Sequence, residues 1–534
     1  MIWTAAGREY EKAAALAPND PSPLSNLSSV KFELGEYASA AEYILKALQV
    51  TQEDDSETAA KKRTLHERLA KCYMHGRKFE QARKISDDIG DGASADAILG
   101  GLEALNTWTA AASKEGGDAL AHRMLMFDRL PRLMANLDNL TEYYAIGHDV
   151  ADTLFDDRLQ KSSSPRDSVA LMFCGSGDAR HVFNTIFMMG MQELTQKKRL
   201  CKDLHITLVD INAAAIARTL IFVDMIVFYS VLRLKKTPGI EDAGTVMAYL
   251  YAAQVVPAVV NEKLQMHIET VLMGLEAEDD DEPLYDWLYL PLATRKAAAR
   301  VLRRWQNPPP PQERCYSPRL IRHMVVERIT REKIKASIMY GQGHRKETDP
   351  GFELDRKSFN DLGVILPSKG FAERRDEPLV ALMDEYRKGS TAAKQKLGAH
   401  IDENWVSNLT LIDFDYSEAR NKAEDPMFPM DDDEAKVPSI ESDPTELARM
   451  FPEIRSGQTV LESLGDFFTT TALMLAHIGG DDRLMIEAVV GDMTDVMERL
   501  HWGCLESRSS SPKAQINPAK FPRKYDRIHM SNIP

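Results

Sequence analysis

Val169-Ala-Leu-Met-Phe-Cys-Gly-Ser-Gly-Asp-Ala-Arg180 is the stretch whose reading decides the fold. An apolar run enters a Gly-x-Gly turn, and a helix-like segment leaves it. Further on, His205-Ile-Thr-Leu-Val-Asp210 reads as a second strand that ends on an acid. Gly175 and Gly177 permit a tight strand-to-helix turn and close approach of a ligand to the backbone. The helix start beyond them offers N–H groups that favour negative charge. A carboxylate at the end of the next strand is placed to hold a ribose. The layout is that of a nucleotide-type α/β site. Two features depart from the dinucleotide fingerprint. Arg180 stands where the third small residue belongs, and the acid follows at more than the usual spacing. A structural turn with no ligand therefore competes with the site on even terms.

The rest of the chain sets the frame. Its 534 residues exceed one hydrophobic core and suggest about three domains. A net charge of −15 argues against a nucleic acid or an anionic membrane as partner. The acidic runs at 276–282 and 431–434 read as solvated loops. Cys72, Cys174, Cys201, Cys315 and Cys504 are scattered without a Cys-x-x-Cys pair. They fit reduced thiols and a cytoplasmic protein. No apolar leader opens the sequence. Thr219–Leu232 is too short to span a bilayer and carries Asp224, so a buried helix is expected.

The first ninety residues hold a repeat. Ala6, Tyr10 and Ala13 recur as Ala40, Ile44 and Ala47, a displacement of 34. That is the period of tetratricopeptide (TPR) units. Leu69, Ala70, Tyr73, Phe79 and Ala82 take matching offsets in a third unit. This pattern resembles the TPR family over residues 1–90. The expected organisation is TPR-like helical repeats at 1–90 and a helical linker at 91–165. The first part of an α/β core follows at 166–235, then a mostly helical insertion with acidic loops at 236–480, and the second part of the core at 481–534. Within that last part, Leu484–Asp492 and Tyr525–Asn532 read as strands. A sheet that stops so soon, and a repeat array that starts in mid-unit, lead us to expect a fragment at both ends.

Strand–Gly-x-Gly–helix, strand–Asp, strand–Gly-Asp and strand–Ser-Asn-x-Pro, in that order, resemble the class I methyltransferase core, a Rossmann-like sheet. The resemblance implies S-adenosylmethionine as cofactor, with Gly175 and Gly177 under its methionine part. Asp210 would hold the ribose hydroxyls, and Asp492 would lie against the adenine. Asn532-Ile-Pro534 weakly echoes an Asn-Pro-Pro-Tyr motif. Against catalysis, Phe173 replaces an acid, Ala179 replaces the third glycine, and a long insertion separates the second and third strands. Phe173–Val182 and Ile206–Arg218 also resemble a eukaryotic domain of unknown function. It is found in many fungal proteins and in the N-terminal region of dynein axonemal assembly factor 3. Asp178, Arg180, Asp210 and Arg218 match its motif positions. That resemblance brings Asp178 into the candidate cofactor-binding set, Gly175, Gly177, Asp178, Asp210 and Asp492. An Asp178–Arg180 ion pair that merely locks the turn is the equal alternative.

Other chemistry finds no support. The Gly-rich turn lacks the lysine of a phosphate-cradling loop. No Gly-x-Ser-x-Gly elbow occurs. The histidines show no metal-ligand spacing. The expected function is that of a protein-interaction scaffold, with a protein partner bound in the TPR groove and no catalytic residue or cofactor. The alternative is an S-adenosylmethionine-dependent methyltransferase whose substrate is recruited by the array.

Overall fold

The computed structural model describes residues 2–51, 56–85, 88–89, 96–103, 122, 126, 143–155, 166–237, 240–277, 283–308, 317–340, 352–412, 414, 443–451, 458–480, 482–508 and 516–530. The chain divides into two compact units. One comprises residues 1–137 with 494–506, the other 138–493 with 507–534. The division at 137/138 falls inside the stretch expected to be a linker.

The first unit is helical: α1 (Ile2–Leu16), α2 (Pro21–Glu33), α3 (Tyr37–Val50), α4 (Ser56–His75) and α5 (Phe79–Lys84). Each packs on the next in sequence. Asp20 starts α2 by accepting a hydrogen bond from the Ser22 amide, and a proline fills the first helical position. Of the repeat alanines, Ala13 of α1 is only half-buried. Ala40, Ile44, Ala47, Ala70 and Ala82 are fully buried, because a small side chain lets two helix axes approach.

The second unit is built on a parallel sheet. Its helices, in chain order, begin with α6 (Arg180–Gln196), α7 (Ala213–Leu234), α8 (Ala243–Ala252), α9 (Ala258–Leu275) and α10 (Leu292–Gln306). They continue with α11 (Pro318–Tyr340), α12 (Glu353–Leu362), α13 (Lys369–Arg375), α14 (Glu377–Arg387) and α15 (Thr391–Asn404). The last two of this unit are α16 (Pro444–Arg449) and α17 (Val460–Gly479); α18 (Met493–Trp502) leads into the segment grouped with the first unit. The strands are β1 (Arg166–Cys174), β2 (Cys201–Asp210), β3 (Val255–Pro257), β4 (Leu288–Tyr289), β5 (Trp405–Ser407), β6 (Leu484–Val490) and β7 (Arg527–Met530).

Five strands form one sheet in the order β4-β6-β2-β1-β7, and every pairing is parallel. Continuous apolar runs such as Val169–Cys174 are what a parallel sheet covered on both faces requires. With β4 set aside, the order is third-second-first-fourth in chain sequence, which fits a Rossmann-like fold. The sheet thus spans both core segments, and the insertion between them adds β4 at its edge. A second, two-stranded antiparallel sheet, β3–β5, also lies within the insertion. Its three-residue strands carry too little periodicity to be read from sequence.

Helices α6, α7 and α17 converge over the face bearing Leu208, Ile486 and Ala488. α7 is long and apolar enough to cross a membrane, but 78% of its apolar window is buried inside the unit. It is a core helix here; at 22 residues it is longer than the stretch Thr219–Leu232 read as too short to span, and its burial decides the matter instead. The Asp224 carboxylate meets His267 Nδ1 at 2.6 Å and accepts a hydrogen bond from the Tyr285 hydroxyl. A buried charge with partners on both oxygens is tolerable in such a helix. Among the described residues, the long segment 236–480 supplies α8 through α17.

Candidate functional site

The Gly-x-Gly turn sits where β1 stops and α6 begins. Gly175 and Gly177 have φ of +67° and +52°, and Ala179, the helix N-cap, has φ of +58°. Three alternate residues in the left-handed region fold the chain back sharply. Alanine at the third position costs on the order of 1 kcal/mol relative to glycine. The backbone therefore keeps the shape of a three-glycine turn although only two glycines are present.

Asp210 holds this turn. Its Oδ2 accepts the Gly177 amide at 2.8 Å, and its Oδ1 accepts the Asn212 amide at 2.9 Å. The residue is buried, 7% exposed. Burial pushes its carboxyl up from the usual range, against the two N–H donors that favour the anion. The same residue's backbone carbonyl accepts the Gly491 amide at 2.8 Å. Since Cys174 pairs with Val209 and Asp210 with Val490, the carboxyl ends of β1, β2 and β6 lie side by side. Gly175, Gly177, Asp210 and Asp492 are thereby brought to one edge of the sheet, with Asp492 half-buried just past β6.

Asp178 faces elsewhere. It forms a buried ion pair with Arg180, Nη2 to Oδ2 at 2.6 Å, with both side chains almost fully enclosed. Its Oδ2 also accepts the Gly147 amide at 2.9 Å. Burial alone would raise this carboxyl, but the Arg180 guanidinium and the Gly147 N–H bring it down to about 2. Arg180 in turn donates to the carbonyls of Gly147 at 2.6 Å and Asp149 at 2.7 Å. The pair expected as an alternative to a ligand contact is formed.

What it grips is residues 143–155, an irregular strap without helix or strand. The first turns of α6 fasten it at successive points. Asp152 N–H donates to His181 Nδ1 at 3.0 Å, Asn184 Nδ2 donates to Ala151 O at 2.7 Å, and Leu154 N–H donates to Thr185 Oγ1 at 3.1 Å. Burial, then His529 beside it, push His181 down to about 4. It is neutral near pH 7, with Nδ1 free to accept. Arg218 of α7 ties the strap to α8. Its guanidinium donates to Ala145 O, Leu250 O at 3.0 Å and Tyr251 O at 2.8 Å. The last two are carbonyls at the end of α8, where the helix dipole suits a cation. Both arginines are 1% exposed.

On the opposite sheet face Glu487 is fully buried in β6. It accepts from Arg508 Nε at 3.0 Å and from Thr207 Oγ1 at 3.0 Å, and Arg508 Nη2 donates to the Tyr525 hydroxyl at 2.7 Å. Every oxygen of the acid is engaged, so this is a fastening of the segment after residue 507 to the sheet. Sequence reading passed it over. The signal was a single glutamate in the run Leu484-Met-Ile-Glu-Ala-Val-Val490, since a buried strand cannot carry a charge without a partner. The strap was also missed, because its anchors are spread over α6 and α7 and its own sequence has no periodicity. Asn532-Ile-Pro534 lies outside the described residues.

No curated protein and no solved structure matches the chain. One family does: residues 145–255, from the strap through β3, match a domain of unknown function. All of the strap but its first two residues, its arginine and aspartate anchors, the Gly-x-Gly turn and Asp210 fall within that span, so the chain carries a DUF4470 domain at residues 145–255.

Proposed function

We propose that the protein is an interaction scaffold in which a TPR array captures a protein partner and a methyltransferase-like domain does no chemistry. One observation carries this reading. Two acids of the candidate cofactor site, Asp178 and Asp210, spend their oxygens on the protein's own donors. A ribose acid needs a free lone pair aimed at the ligand, and a buried carboxylate already held by two backbone N–H groups has lost most of the incentive to take one. For the array, the support is the burial of Ala40, Ile44 and Ala47, which recur from Ala6, Tyr10 and Ala13 at the TPR period. The acidic chain favours a protein over a nucleic acid as partner.

The alternative is an S-adenosylmethionine-dependent methyltransferase with its substrate recruited by the array. Its support is the gathering of Gly175, Gly177, Asp210 and Asp492 at the carboxyl edge of three adjacent strands, where ligands of open α/β sheets bind. Titration calorimetry of the whole chain with S-adenosylmethionine separates the two. The scaffold reading expects no heat and no thermal shift. A specific ligand at 100 times its Kd would add about 2.7 kcal/mol of stability. Binding that is lost in Asp492→Ala, which leaves the Asp210 clamp intact, would make the methyltransferase reading primary.

A further inference from the structure

Ser176, Asp178 and Ala179 are buried, as are Arg180, His181 and Val182 at the start of α6. Gly175 and Gly177 themselves are half-buried, and the strap lies against the buried side of the turn. The Tyr144 carbonyl lies 3.9 Å from where a Gly177 Cβ would stand. Gly147 N–H sits on Asp178, and the Gly147 and Asp149 carbonyls take the Arg180 donors. A guanidinium that would otherwise bind an anion is taken up by Asp178 and by these backbone carbonyls. Gly147 itself fits closely. A Cβ there would meet Arg180 Cζ and Nε at 3.2 Å, so a larger residue would lift the strap from its anchor while leaving the turn and α6 unchanged.

From this geometry we infer that residues 143–155 are an autoinhibitory strap. The chain occupies its own Gly-x-Gly mouth, and Asp178, Arg180 and Arg218 hold the occupant rather than a ligand. The inference rests on the non-catalytic reading above and adds a second cause to it: beside the turn's own hold on Asp210, the strap closes the mouth. A nucleotide-type ligand would enter only when the strap is released.

The test uses the full chain, hydrogen exchange of residues 143–155 and 175–185, and S-adenosylmethionine as the probe. In the wild type the strap and the turn are expected to be protected together, with no binding. In Gly147→Val the strap amides are expected to exchange on the order of tenfold faster or more, and S-adenosylmethionine binding is expected to appear. Asn184→Ala, which removes only the bond to Ala151 O, serves if the first variant does not fold, with the same expectation. A loosened strap with no gain of binding would overturn the inference and leave the scaffold reading standing. Wild-type binding with the strap still protected would overturn both. Full protection of the strap in both variants would show that Arg180 and Asn184 are not its fasteners, and would equally overturn it.

Discussion

Asp355 shows how one buried carboxylate is tuned by its surroundings. It lies 4% exposed, and its Oδ2 accepts the Val460 amide at the start of α17 at 2.7 Å. Burial pushes its carboxyl up to about 6, with the Val460 N–H opposing. An acid whose folded-state value stands above its unfolded value binds more protons when folded. Stability therefore falls as pH rises from about 4 to about 6, and the loss persists at neutral pH. Asp355→Asn keeps an acceptor for Val460 and removes the buried charge. We expect it to raise neutral-pH stability by on the order of 2 kcal/mol and to flatten the pH dependence between 4 and 6. Urea unfolding at pH 4.5 and 7.5 checks this, and a variant less stable than wild type at both values would refute the assignment. Nothing in Phe352-Glu-Leu-Asp355 announced this burial. The apolar context of Glu487, by contrast, was visible in its own strand, and so were the left-handed turns at Gly175 and Gly177.

At the scale of elements, the central helix α17 is positioned by a crossing with no side chains between backbones. A Cβ on Gly465 would stand 3.0 Å from the Gly244 carbonyl carbon of α8 and 3.1 Å from its oxygen. The obstacle is backbone, so neither helix can yield without moving away. Gly465→Ala is expected to destabilise the second unit by roughly 1–3 kcal/mol, read as a lowered midpoint in urea. An unchanged midpoint would mean that α8 and α17 separate at no cost. Elements with long apolar periods were legible in sequence: α7 contains the buried helix expected at Thr219–Leu232, and β1 and β6 overlap the strands read there. β4, with two residues, and the β3–β5 pair were not, since strands so short exist only by virtue of partners distant in sequence. The start of β2 was hidden too. Cys201-Lys-Asp203 is polar, and it becomes strand because Arg166 to Ser168 offer it a ladder.

For the whole molecule, the two units have separate cores. Among the described residues, the large cluster of the second unit includes none before Tyr143, and the smaller clusters of the first lie among residues 32–126. Deleting residues 1–137 should therefore leave the second unit folded, with helical circular dichroism and a cooperative melt, while partner capture is lost. A truncated protein without cooperative melting would mean that the array is a buttress instead of a module. The sequence by itself determined the strand–turn–helix unit, the helical character of the N-terminal residues and the mixed α/β class of the fold. Those features depend on local periodicity and on which residues tolerate positive φ. Tertiary structure alone decided what the candidate site residues do. Asp178 meets Gly147 and Arg180 meets Asp149 across thirty-one residues, Arg218 meets Ala145 across seventy-three, and β7 is anchored by Asp526 accepting from the Ala170 amide across 356. A carboxylate reads the same in sequence whether its lone pairs await a ligand or are filled by the chain, because the donors that fill them come from segments that only folding brings near.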